Sequence, residues 1–153
     1  MPKGEGGDWG FLIDDWRFKE IFQPTIVNHP SGGWGLDPSD LKRRTKEFAH
    51  RCVKLALCLP RNVLGDHIRK QLIRCSTSVA ANYRASLQSQ SKAAFISEIS
   101  IVIEEAGESE FWLEFIIDEK LMEKEKVLPL YAEAHELSSI FITTRKTAQI
   151  GKR

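Results

Sequence analysis

The sequence predicts an all-α fold: an antiparallel up-down-up-down four-helix bundle over residues 37–150, preceded by an irregular N-terminal extension over residues 1–36. Three observations carry this reading. From residue 37 onward, apolar residues recur at spacings of three and four, the period of one helix face. The alternation expected of half-buried strands does not occur. The breaks between periodic runs are short, which makes consecutive helices antiparallel neighbours.

Residues 1–36 hold 7 of the 10 glycines and 3 of the 4 tryptophans (Trp9, Trp16 and Trp34), and Pro24 and Pro30 interrupt any period. WGFLIDDWRFKEIF (9–22) reads as one short amphipathic segment, and SGGWG (31–35) as a linker. The abrupt change of composition suggests translated upstream sequence or an unstructured extension. The rival is a Trp-bearing arm that packs on the bundle. The first helix then begins at LDPSDLKRR, with Asp37 or Ser39 as cap and Pro38 in the first turn. Leu41, Thr45, Phe48, Cys52, Leu55 and Leu59 form its seam, and Pro60 ends it. A second helix, from about Asn62 to Leu87, aligns Leu64, Ile68, Leu72, Cys75 and Val79, with Asn82 next in the series. SQSK (89–92) is a turn or cap. The third helix puts Phe95, Ile99, Val102, Ala106, Leu113 and Ile117 on its apolar side, with Glu98, Glu105 and Glu108 on a neighbouring face. After the MEKEK break, Leu130, Ala134, Leu137, Phe141 and Ala148 mark the fourth.

Several classes of protein are disfavoured by composition. No apolar run approaches the roughly 20 residues of a membrane span, and the first residues lack the apolar core of a signal peptide. Cys52, Cys58 and Cys75 are odd in number, form no CxxC pair and read as small buried hydrophobes. The expectation is a cytoplasmic protein with no membrane association. The formal charge of +1 hides an asymmetry: residues 37–92 carry 12 Lys/Arg against 4 Asp/Glu, and residues 93–153 carry 7 against 12. Such a basic half suits a polyanion, or pairs with the acidic half inside the bundle or across subunits.

Catalytic motifs are scarce. A di-iron bundle needs two Glu-x-x-His pairs on different helices with two further glutamates. Here Glu47 and His50 form one pair, and no second exists beside Glu98, Glu104, Glu105 and Glu108. No G-x-S-x-G elbow occurs, and Gly4, Gly6, Gly7 and Gly10 lack the GK[ST] of a phosphate loop. The expectation is a non-enzymatic protein without metal or cofactor, a small metal-dependent enzyme being the weakest alternative. The residues assigned to phosphate contact are Arg43, Arg44, Arg51, Arg69, Lys70, Arg74 and Arg84. Gln71, Arg74, Ser78 and Asn82 step along one polar flank of the second helix. Gln71, Ser78 and Asn82 are therefore assigned to helix packing through an interhelical hydrogen-bond network, with Arg74, Asn82 and Arg84 facing a ligand as the alternative.

QLIRCSTSVAANYRAS (71–86) followed by SKAAFISEISIVIEEAGESEFWLEF (91–115) resembles the bacterial 23S ribosomal-RNA intervening-sequence protein family. The residues that match its pattern are Gln71, Leu72, Arg74, Ser78, Val79, Ala81, Asn82, Phe95, Glu104, Glu105, Glu108, Trp112, Leu113 and Glu114. The resemblance spans about residues 37–148. Many relatives read Asn-Ile-Ala-Glu-Gly where this chain reads NYRAS, so Ala85 stands in place of an acid. The resemblance implies antiparallel four-helix bundles, ring-like homo-oligomers that are typically pentamers, and no established enzymatic activity. The accessory proteins of diversity-generating retroelements are similar in fold. By that analogy the expected partners are RNA or DNA and a protein such as a reverse transcriptase.

Overall fold

The computed structural model describes residues 37–151, and the readings made for residues 1–36 lie outside them. Four helices follow one another: α1 (Pro38–Leu57), α2 (Val63–Ser86), α3 (Lys92–Asp118) and α4 (Lys124–Ile150). Three five-residue connections, 58–62, 87–91 and 119–123, join them. No strand occurs among the described residues.

Each helix start has a local cause. The Asp37 side chain accepts from Ser39 N at 3.1 Å and Pro38 opens α1, where its missing N–H costs nothing. Asn62 Oδ1 accepts from Gly65 N at 2.8 Å, and Ser91 Oγ from Ala94 N at 3.1 Å. Asn62 is thus the cap of α2, not its first residue. Glu123 precedes α4 without a side-chain cap, and Pro129 removes a backbone donor from that helix's second turn. The end of α3 is closed by Lys120 N to Ile117 O and Leu121 N to Ile116 O, both at 3.1 Å. That pair of bonds is a Schellman closure, with Lys120 at φ 52° in the position glycine usually takes.

Cross-helix contacts fix the antiparallel order. Tyr83 Oη donates to Pro38 O at 3.4 Å and Arg69 Nε to Ala56 O at 3.2 Å, so α2 descends as α1 rises. On α3 and α4, Ser100 meets Arg145 and Glu110 meets His135. Ten residues forward on one helix are ten backward on the other. The expected seam of α1 is buried throughout. On α2 to α4, Ile68, Leu72, Cys75, Val79, Ile99, Val102, Ala106, Leu113, Leu130, Ala134, Leu137 and Phe141 complete one core. Three details differ from the periodic reading, the first being that Ala148 of α4 lies outside the core, which ends at Phe141 on that helix. Ile116 is fully buried where Ile117 was expected, and Leu64 and Phe95 sit at the core margin.

The polar stretch on α2 is accommodated by bonds within its own helix. Thr77 Oγ1 donates to Ile73 O at 2.7 Å and Ser86 Oγ to Tyr83 O at 2.7 Å. Such back-bonding satisfies a hydroxyl without a partner helix. Asn82 Nδ2 donates to Ser78 O at 2.9 Å and to Ser78 Oγ at 2.8 Å. This corrects the expected interhelical network at Ser78 and Asn82: their bonds run along α2, because i and i+4 are nearest neighbours on a helix.

Candidate nucleic-acid interface

Of the seven residues assigned to phosphate contact, four serve the bundle itself. Arg44 lays its guanidinium fork on Glu133 of α4, with Nε–Oε1 2.7 Å and Nη2–Oε2 2.8 Å, and Nη2 reaches Glu136 at 3.1 Å. The bond to Glu133 raises the Arg44 pKa. Arg51 is buried on the same helix; desolvation lowers its pKa, against the attraction of Glu133. Arg69 donates to Ala56 O, Leu59 O and Pro60 O and pairs with Asp66, so it ties down the α1–α2 connection.

Arg74 is the fourth. Its Nη1 lies 3.2 Å from Glu105 Oε2, Nη2 pairs with Glu108, and Nε is 3.4 Å from Gln71 Oε1. Trp112 Nε1 donates to Glu108 Oε1 at 3.2 Å, and the Trp112 ring meets His67 edge-on at 5.4 Å. Gln71, Arg74, Glu105, Glu108 and Trp112, scattered over the two motif-bearing segments, are therefore one brace between α2 and α3. Gln71 joins it through Arg74, three residues on along the same helix. The bond from Arg74 holds the Glu108 carboxyl below its ordinary range.

The remaining three are exposed. Arg43 pairs within α1 with Glu47 (3.0 Å) and Asp40 (3.7 Å). Lys70 and Arg84 make no ion pair among the described residues. Arg84 lines a groove of about 360 Å³ between the outer faces of α1 and α2. Ala49, Val53, Ala80 and Ala81 line it as well, with Lys42, Lys46 and His50 from α1 and Thr77 from α2. Lys42, Lys46 and His50 were outside the assigned set. The signal that finds them is their i, i+4, i+8 spacing, which places them along one side of a helix.

Glu47 accepts from Arg43, and His50 lines the groove. No group of three or more His, Cys, Asp or Glu side chains converges among the described residues. No helix among them is long and apolar enough to cross a membrane. The buried thiols are raised by desolvation, Cys75 to about 11 and Cys52 further, which makes them poor nucleophiles at neutral pH.

Comparisons with known proteins agree with this architecture. A solved structure from Bacteroides thetaiotaomicron, a protein with unknown function from the S23 ribosomal protein family, is similar with a TM-score of 0.66 and 34% identity. The similarity covers 70% of this chain and 99% of that one. No curated protein matches. The model of the family described as 23S rRNA-intervening sequence protein matches residues 39–143, most of the four-helix region. This chain belongs to the 23S rRNA-intervening sequence protein family.

Proposed function

We propose that this protein is a non-enzymatic, homo-oligomeric helical bundle that binds nucleic acid as part of a nucleoprotein scaffold. The observation that carries the reading is the cluster of Lys42, Lys46 and Arg84 around one groove. None of the three makes an ion pair among the described residues, whereas Arg44, Arg69 and Arg74 are engaged inside the bundle. Cations without internal partners are free to displace counterions from a phosphate backbone. The family's link to an insertion in ribosomal RNA makes RNA the first polyanion to test.

Equilibrium binding of the full chain to a labelled RNA across a salt series is the experiment. Binding that weakens steeply as salt rises supports the reading. Salt-independent binding, or none at low salt, overturns it.

A second reading has its own observation. Glu110, Glu114 and Asp118 raise the Tyr131 pKa together, and Phe111 beside them is half exposed. That acidic, aromatic face on α3 and α4 complements the basic groove, and the two would meet between copies. An Arg84→Glu variant that dissociates an oligomer while leaving RNA binding unchanged favours this reading.

A further inference from the structure

The α1 wall of the groove has a repeat that a charge count does not convey. Lys42, Lys46 and His50 all line it, four residues apart. At the helical rise each step is about 6 Å, comparable with the separation of successive phosphates along one nucleic-acid strand. Arg84 stands on the opposite wall. Because Tyr83 Oη bonds to Pro38 O, the C-terminal end of α2 lies beside the start of α1. Arg84 therefore opposes the Lys42 end of the line.

The floor is small and chemically plain. Ala49, Val53, Ala80 and Ala81 offer no side-chain hydrogen-bonding group, and no Phe, Tyr or Trp lines the groove. Thr77 directs its hydroxyl to the Ile73 and Arg74 carbonyls, at 2.7 and 3.1 Å. The floor itself therefore gives a base edge no side-chain partner, and the polar groups stand on the walls, where a backbone would pass. Adjacent helices are only about 8–10 Å apart, a scale that suits one strand running along the furrow.

Resting on the nucleic-acid reading above, we propose that this groove holds the sugar–phosphate backbone of a single strand. Its successive phosphates lie at Lys42, Lys46 and His50, and Arg84 closes over the first. Binding through such a site is indifferent to base sequence. His50 is the one imidazole among the four contacts. The charged groups around it are Lys42, Lys46 and Arg84 in the groove, with Lys54 one turn further along α1. Glu47, on the preceding turn, is engaged by Arg43.

The test measures binding of labelled single-stranded oligomers to the full chain, each variant first checked for helicity by circular dichroism. The oligomers are oligo-U, oligo-A and oligo-dT of equal length, with a duplex of the same length alongside. The three single strands are expected to bind within about threefold of one another, and the duplex about tenfold more weakly or worse. Lys46→Glu and Arg84→Glu each weaken binding about tenfold and lower the salt slope by about one. His50→Lys puts a permanent cation at the third phosphate and steepens the slope by about 0.7. Lys124→Glu, exposed at the start of α4 and outside the groove, changes affinity by no more than about twofold. If single strands bind but Lys46→Glu and Arg84→Glu leave affinity intact, the site is elsewhere and this proposal falls while the nucleic-acid reading stands. A preference for duplex, a strong base preference, or an unchanged slope in His50→Lys overturns it equally. If no oligomer binds, the nucleic-acid reading itself fails.

Discussion

Gly65 shows how one residue sets the path of the chain. An added Cβ there falls far inside van der Waals contact with the Pro60 carbonyl oxygen, and 3.2 Å from Asn62 Oδ1. That carbonyl also accepts from Arg69 Nη2 at 3.2 Å, and Asn62 Oδ1 is the cap of α2. Any retreat of Pro60 or Asn62 loosens both contacts. Gly65→Ala should therefore destabilise the protein by about 1–3 kcal/mol, the range for forcing atoms into a packed site, as read from the midpoint of urea unfolding. In the sequence, Gly65 and Arg69 look like a helix-weakening glycine and one more surface cation. Their roles depend on where α1 ends and turns back, a distance in space that local spacing does not encode.

At the scale of the element, the helices were legible because burial follows the three–four period. All six expected seam residues of α1 are buried, as are Ile68, Leu72, Cys75 and Val79 of α2. Ile116 rather than Ile117 is buried because it continues the alternating three–four series of Ile99, Val102, Ala106, Ser109 and Leu113, in which the buried polar Ser109 hides one member from an apolar reading. Lys120 in that turn holds a left-handed backbone that L side chains disfavour. Lys120→Gly should stabilise the bundle by about 0.5–1 kcal/mol, after the added unfolded-state freedom of glycine is deducted. The check is a higher urea midpoint with an unchanged m-value. The brace between α2 and α3 has a pH signature. The Glu108 carboxyl is lowered from its ordinary value of 4.5 by Arg74. Its contribution is complete above that value and disappears as pH falls through the lower folded-state pKa. Arg74 is half exposed, so the brace is worth under about 1 kcal/mol. Thermal midpoints of Glu108→Gln should trail the wild type at pH 7 and converge with it near pH 2.

For the whole molecule, the charge asymmetry conveyed the partners of the helices before it conveyed any external one. A one-dimensional count cannot separate a cation facing solvent from one facing the acidic half of its own bundle. Arg44 and Arg74 belong to the second kind, so the proposed interface narrows to Lys42, Lys46, His50 and Arg84, three of them outside the assigned set. Where the bundle closes, α1 meets α4 through the Arg44 fork on Glu133, with only about a quarter and a seventh of the two side chains exposed. A bidentate, charge-assisted pair in such a setting is worth more than a surface ion pair. A double-mutant cycle of Arg44→Ala and Glu133→Ala should give a coupling of about 1–3 kcal/mol, measured by urea unfolding. Because α1, at 20 residues, is the shortest of the four described helices, its amides should lose exchange protection first in Arg44→Ala while those of α3 keep theirs. Coupling near zero would mean that apolar packing alone closes the bundle, and would return Arg44 to the set of cations available to a phosphate backbone.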